Sequence, residues 1–170
     1  SDVVAVMGVE KMTDKPNDTV TSALAMAADA EYEALQGLSF VGINALLMQR
    51  YMHEYGYKKD DFANFAINAH ANAVHNPNAM FPAPITAKQF AAAKPVADPI
   101  NLLDSSPIAD GAACVILAPT QMAKEFTDKP VRVRASAIAT DSVALQDRRD
   151  ILFLEGAALS AQKAYAQAGI

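Results

Sequence analysis

The sequence predicts an α/β fold in which a helical insertion separates two strands of one sheet and a second α/β unit follows. Two apolar runs, at residues 3–9 and 112–118, have the composition of strands buried inside a sheet. Between them, apolar residues recur at three- and four-residue steps, which is typical of helices. Beyond the second run, an alternating segment and an amphipathic stretch predict one more strand and one more helix.

The composition is that of a folded chain. Its 170 residues are 52% hydrophobic and 19% charged, which excludes wholesale disorder. The net charge of -5, without a concentrated basic stripe, argues against a nucleic-acid partner. No apolar run approaches the roughly 18 residues of a membrane span. A single cysteine rules out an internal disulfide and suits a reducing compartment, so we expect a cytoplasmic protein that is not bound to a membrane.

The first strand, residues 3–9, is followed by a polar loop and then by two predicted helices. Thr19 or Thr21 can cap the first helix, whose alanine-rich run continues to about residue 35. Ser39 can cap the second helix, and Gly56 ends it.

A third helix is predicted over residues 58–75, with Phe62 and Phe65 on its apolar stripe. Its end is set by Asn76-Pro77, because a residue before proline avoids the helical region. Four prolines make residues 81–99 irregular, apart from a short helix over residues 86–93.

The last three elements rebuild an α/β pattern. Residues 112–118 form the second buried strand, and residues 131–138 alternate as a strand with one solvated face does. Residues 154–168 form an amphipathic helix that Gly169 closes.

The residues alone provide no catalytic constellation. Cys114 is the one possible thiol nucleophile, but its place in the middle of a strand predicts a buried, inert side chain. His70 and His75 are five residues apart and cannot share a metal on one helix face, so no metal site is predicted.

Two polar segments are unusual enough to suggest ligand contacts. Residues 68–81 hold four asparagines and two histidines before a proline-rich coil. Residues 102–113 place two serines and two aspartates just before a strand, where a loop can present hydroxyls to a ligand. The alternative is that these side chains only fix turns.

Three motifs together resemble the thiolase family, and more narrowly archaeal-type acetyl-CoA acetyltransferases (acetoacetyl-CoA thiolases) and sterol carrier protein X-type thiolases. They are G-V-E-K-M at residues 8–12, N-x-H-x-x-x-x-x-N-P-x-A-x-F at residues 68–81, and D-P-I-x-L-L-D-x-S-P-x-x-D-G-A-A at residues 98–113. The resemblance extends over essentially the whole chain.

The resemblance implies thiolase-like α/β/α layers. Residues 1–10 and 100–120 would then be the end of the N-terminal half, and residues 11–99 the helical loop insertion that covers coenzyme A. Residues 130–170 would begin the C-terminal half. Because an apolar strand starts within two residues of Ser1, we expect a fragment from the middle of a longer chain.

The resemblance also implies a function, an acyltransferase that condenses two acetyl-CoA into acetoacetyl-CoA or runs the reverse thiolysis. The reaction would use an acyl-cysteine whose cysteine lies outside this chain, because Cys114 matches neither family cysteine. Ser106 matches the serine that contacts the pantetheine arm, and His75, Asn76 and Phe81 fall in the ligand-facing part of the insertion. No catalytic residue is expected among these 170 residues.

For the whole protein, the resemblance implies no cofactor besides the coenzyme A thioester substrate, and a place in isoprenoid (mevalonate) biosynthesis. It also implies a homodimer or tetramer that can assemble with hydroxymethylglutaryl-CoA synthase and an OB-fold protein. A non-catalytic module that binds acyl-CoA or protein is the alternative.

Overall fold

Two strands that are distant in the sequence form the longest sheet in the computed structural model, which describes residues 2–170. Strand β1 (Val4–Glu10) pairs antiparallel with β4 (Gly111–Leu117), in a register that runs from Val4 opposite Leu117 to Glu10 opposite Gly111. Both predicted strands are therefore confirmed. Their predicted burial is wrong, because every residue of both strands is exposed. Among the described residues this sheet has two strands, and they leave their residues exposed.

The β1–β4 pair belongs to the first of two compact units, which comprises residues up to Asp14, Ala109–Ser142 and Phe153–Ile170. After β4, a 3-10 turn (Thr120–Met122) leads into a short helix, α5 (Ala123–Phe126), that the sequence analysis did not predict.

The segment at residues 131–138 has no regular secondary structure and joins no sheet among the described residues, so the predicted strand is wrong. Hydrogen bonds instead connect this segment to helix α6 (Glu155–Ala168): the Arg134 guanidinium donates to the Ala168 carbonyl at 2.6 Å. Helix α6 ends as predicted at Gly169, whose φ of 69° is the left-handed conformation that favours glycine.

The second unit comprises Lys15–Ile108 and Val143–Leu152 and contains the helices. Helix α1 (Asn17–Ala25) begins after Pro16 without a side-chain cap, so the predicted threonine cap is wrong. The predicted continuation to residue 35 is also wrong. The side chain of Asp29 accepts hydrogen bonds from two backbone amides and begins a separate π-helical turn (Ala30–Ala34).

Helix α2 (Phe40–Tyr55) has the ends that the sequence predicts. The Ser39 hydroxyl accepts a hydrogen bond from the Gly42 amide at 3.1 Å, and Gly56 closes the helix with a φ of 73°.

Helix α3 (Ala63–Ala73) follows a 3-10 turn (Lys59–Phe62) and ends before Asn76-Pro77. The predicted short helix is α4 (Ala87–Ala91), capped reciprocally by Thr86 and Gln89.

A small hairpin of β2 (Pro95–Ala97) and β3 (Ile100–Asn101) follows α4, where the sequence analysis expected irregular structure. The Asp98–Pro99 peptide bond between its strands is cis.

A small apolar cluster joins α3, α4 and the turn after β3. Phe90 has no exposed surface and lies at its centre, while the predicted stripe residue Phe65 is exposed. The members of this Phe90 cluster are Ala63, Ala66, Ile67, Ile85, Phe90 and Leu103. Among residues 2–170, no helix is both long and apolar enough to cross a membrane.

Candidate functional site

Both polar segments singled out in the sequence are anchored to the Phe90 cluster. Ile85, in the coil that follows the first segment, packs against the cluster. Leu103, in the turn that precedes Ser106, packs against it as well. A hydrogen bond of 3.0 Å between His70 Nδ1 and the Ala83 carbonyl also fastens that coil to α3. The two candidate segments are therefore connected to one apolar cluster.

The turn before Ser106 is organised by Asn101, whose side chain is completely buried. Its Nδ2 donates to the Phe90 carbonyl at 3.2 Å, and its Oδ1 accepts from the amides of Leu103 at 2.7 Å and Asp104 at 3.2 Å. In return, the Asp104 carboxylate accepts from the Asn101 amide at 2.9 Å. We call residues 101–105 the Asn101 turn. Sequence reasoning missed Asn101, although a lone polar residue between Ile100 and Leu102 is a usable signal.

Ser106 comes directly after the Asn101 turn and is exposed. The preceding serine differs, because the Ser105 hydroxyl donates to the Asn101 carbonyl at 3.2 Å. The turn therefore uses the hydroxyl of Ser105 and presents that of Ser106 to solvent, as a ligand contact requires.

His75, Asn76 and Phe81 lie in an exposed connection between α3 and α4. The Asn76 carboxamide accepts from the Asn78 amide at 3.0 Å, which is the turn-fixing role that the sequence analysis offered as the alternative. Phe81 leaves 54% of its surface exposed, which suits an apolar ligand contact. Among residues 2–170, no hydrogen bond joins Ser106 to His75 or Asn76.

Asp110 forms a second organising centre, at the end of the β1–β4 ladder. Its Oδ1 accepts from the backbone amides of Met12 at 2.8 Å and Thr13 at 3.0 Å, and its Oδ2 accepts from the Thr13 hydroxyl at 2.6 Å. These hydrogen bonds, led by that of the Thr13 hydroxyl, lower the pKa of the exposed Asp110 carboxyl because they stabilise its charged form. The sequence predicts that Asp110 lies in a ligand-presenting loop, and it does not predict the pairing of Asp110 with Thr13.

Cys114 faces Met7 across the β1–β4 ladder and is a free, exposed thiol. The prediction that it is buried is wrong for the residues described, because β4 is exposed along its whole length. In the described part of the chain, no three His, Cys, Asp or Glu residues are grouped as metal ligands.

The first unit contains a cavity of about 890 Å³ beside the end of β4. Its lining is mainly apolar and comes from the end of β4, from α5 and from residues 130–136. None of the four predicted contact residues lines it.

Comparison with known proteins agrees with the motifs. The family model described as "Thiolase, N-terminal domain" matches residues 1–121. The acetyl-CoA acetyltransferase of Methanothermobacter thermautotrophicus is 46% identical over 167 residues, which are 98% of this chain and 43% of that protein. The enzyme of the same name from Methanocaldococcus jannaschii is 42% identical over 172 residues, 100% of this chain and 43% of the relative.

The whole chain superposes on a solved structure, the Ltp2-ChsH2(DUF35) aldolase, with a TM-score of 0.82 and 24% identity. The match covers 45% of the aldolase chain. This likeness confirms the thiolase-like α/β fold. The chain spans less than half the length of the curated acetyltransferases that it matches. Because the family model covers residues 1–121 of 170, the chain belongs to the thiolase family.

Proposed function

We propose that the protein containing this chain is a thiolase that condenses two acetyl-CoA into acetoacetyl-CoA, or runs the reverse thiolysis. The observation that carries the proposal is the identity of 46% and 42% to two proteins named acetyl-CoA acetyltransferase, over nearly the whole chain. Other relatives are less similar: the benzoylsuccinyl-CoA thiolase subunit BbsB of Thauera aromatica is 31% identical. Substrates other than acetyl-CoA are therefore less well supported.

The reaction uses a cysteine outside residues 1–170. Its thiolate attacks the acetyl-CoA carbonyl, the C–S bond to coenzyme A breaks, and the coenzyme A thiolate leaves and takes up a proton. A base then removes an α-proton from a second acetyl-CoA, whose carbanion attacks the acyl-cysteine and releases the cysteine thiolate. No oxidant or reductant takes part, so the proposal includes no cofactor besides the coenzyme A thioester.

The residues of this chain bind the substrate. Ser106 donates or accepts a hydrogen bond on the pantetheine arm, and Phe81 provides apolar contact. His75 and Asn76 complete the coenzyme A site. This assignment is supported by the exposure of all four side chains and by the shared anchoring of their segments on the Phe90 cluster.

The setting of the reaction is part of the same proposal. We place the enzyme in the cytoplasm, where acetoacetyl-CoA feeds isoprenoid (mevalonate) biosynthesis, as a homodimer or tetramer. Hydroxymethylglutaryl-CoA synthase and an OB-fold protein are its proposed partners. The resemblance to archaeal-type thiolases supports these assignments.

The test is an assay of the full-length protein for coenzyme A release from acetyl-CoA and for coenzyme A-dependent cleavage of acetoacetyl-CoA. In Ser106→Ala, losing one hydrogen bond is expected to raise the KM for acetyl-CoA about three- to tenfold and to change kcat less. Ser160→Ala is the matched control, because the Ser160 hydroxyl only donates to a carbonyl within helix α6. An unchanged KM would remove Ser106 from the site, and a wild-type protein without either activity would overturn the function.

A non-catalytic acyl-CoA-binding or protein-binding module is the second candidate. It is favoured by one observation: Cys114, the only cysteine among these 170 residues, lies in the middle of strand β4. Full-length protein that binds coenzyme A and shows neither reaction would select this candidate.

A further inference from the structure

Asp110 joins two points of the chain that are almost a hundred residues apart. Its hydrogen bonds to Met12 and Thr13 span sequence separations of 98 and 97 residues. They lie just beyond the last ladder pair, Glu10 with Gly111, since Asp110 precedes Gly111 by one residue and Met12 follows Glu10 by two. Beyond the end of the ladder, these side-chain hydrogen bonds therefore hold the segment that follows β1 next to the segment that precedes β4. We call these three hydrogen bonds the Asp110 clamp.

The three donors require the acceptor that aspartate provides. Two amides converge on one oxygen and a hydroxyl donates to the other, so both carboxylate oxygens are used. An ionised carboxylate is an acceptor at every one of these positions, whereas most other side chains would present a donor or leave a position empty. Hydrogen bonds to a charged acceptor are also the stronger ones.

Ser106 lies on a short stretch between two anchored points of the chain. On its N-terminal side is the Asn101 turn, and on its C-terminal side the clamp begins at Asp110. Three residues separate Ser106 from Asp110, and one of them is Pro107, whose ring fixes φ. The backbone that links Ser106 to Asp110 is therefore short, and Pro107 stiffens it.

We propose that Asp110 is a positioning residue for coenzyme A binding, because the Asp110 clamp fixes the segment that presents Ser106. The inference rests on the proposed function. Asp110 acts through Met12, Thr13 and the backbone, and it does not itself touch the substrate. Loosening the clamp displaces the Ser106 segment and weakens substrate binding.

The test compares three variants of the full-length protein in the acetyl-CoA assay. Asp110→Ala removes all three hydrogen bonds and is expected to raise KM about tenfold, since small misplacements of binding groups are costly. Thr13→Val removes the hydroxyl donor alone and is expected to raise KM about threefold. Asp110→Asn keeps one oxygen for the two amides, and its Nδ2 can donate to the Thr13 hydroxyl, so KM should return to within about twofold of wild type.

A merely structural role gives a different result. A partly unfolded variant lowers the concentration of active enzyme, and with it the apparent kcat, while KM stays unchanged. Asp128→Asn, at an exposed loop position of the same unit, is the matched control. The proposal is overturned if Asp110→Ala and Thr13→Val keep the wild-type KM, whatever their kcat.

Failure of the proposed function has its own signature. A wild-type protein without thiolase activity rejects the function, and the clamp is then judged by the Kd for coenzyme A in a direct binding titration. Weaker binding in Asp110→Ala and Thr13→Val, restored in Asp110→Asn, supports the proposal. Equal Kd values in all four proteins, or no binding by wild type, overturn it.

Discussion

Two polar side chains, Asn101 and Asp110, each make three hydrogen bonds, and their chemistry suits their different surroundings. Asn101 is completely buried and must both donate and accept, which a carboxamide can do without a charge. Asp110 is exposed and only accepts, which a carboxylate does best. The buried group is the more costly to disturb, because its partners have no access to water.

Replacing Asn101 is expected to destabilise the helical unit. In Asn101→Ala, the buried Phe90 carbonyl and the amides of Leu103 and Asp104 lose their partners, at a cost of roughly 2–5 kcal/mol in the free energy of unfolding. Urea unfolding of the full-length protein measures this loss. Asn64→Ala, on the exposed surface of α3, should change the free energy by less than about 0.5 kcal/mol. Equal stability of the two variants would contradict the role given to Asn101.

At the scale of elements, the sequence predicted the features that depend on neighbouring residues. Ser39 and Gly56 act within one helical turn, so their residue types were sufficient to predict the two ends of α2. One error falls where a distant partner decides. A strand at residues 131–138 needs a neighbouring strand to pair with, and none of the described strands pairs with it. For the site, the exposed loop positions of Ser106 and Phe81 follow from local sequence, whereas the Thr13–Asp110 pairing does not.

Glu33 makes a contact with a distant segment that the sequence does not predict. Its carboxylate is buried, with 4% exposure, and accepts from the Asp29 amide at 2.9 Å and from the Leu145 amide at 2.8 Å. Leu145 is 112 residues away in the sequence. The carboxylate thus attaches the segment Val143–Leu152 to the rest of the helical unit, Lys15–Ile108.

Glu33→Gln is expected to release one of these two amides, because a carboxamide has a single acceptor oxygen. Hydrogen exchange in the full-length protein, followed by mass spectrometry on peptides covering Asp29 and Leu145, should become faster in at least one of them. Glu31→Gln is the control, since Glu31 is on the same helical turn and is exposed. Unchanged exchange in both peptides would mean that Glu33 does not hold the segment.

At the scale of the whole molecule, the β1–β4 pair is apolar on both faces. Met7 and Val9 on β1 are 78% and 79% exposed, and Val115 and Ile116 on β4 are also exposed. A strand that is apolar on both sides is typical of the interior of a layered sheet. More than half of each matched acetyltransferase lies outside the region shared with this chain. Covering these faces with the remaining polypeptide would remove a large apolar surface from water.

Cys114 reports on that covering, because it lies in the middle of β4 opposite Met7. In the full-length protein, we expect its thiol to react with a maleimide many times more slowly under native conditions than in denaturant, since a buried thiol is shielded from the reagent. Peptide mapping by mass spectrometry assigns the label to Cys114 among any other cysteines, and the denatured sample is the control for its reactivity. Native labelling as fast as in denaturant would show that β4 keeps an open face in the complete protein, so that the apolar residues of the pair would need another explanation.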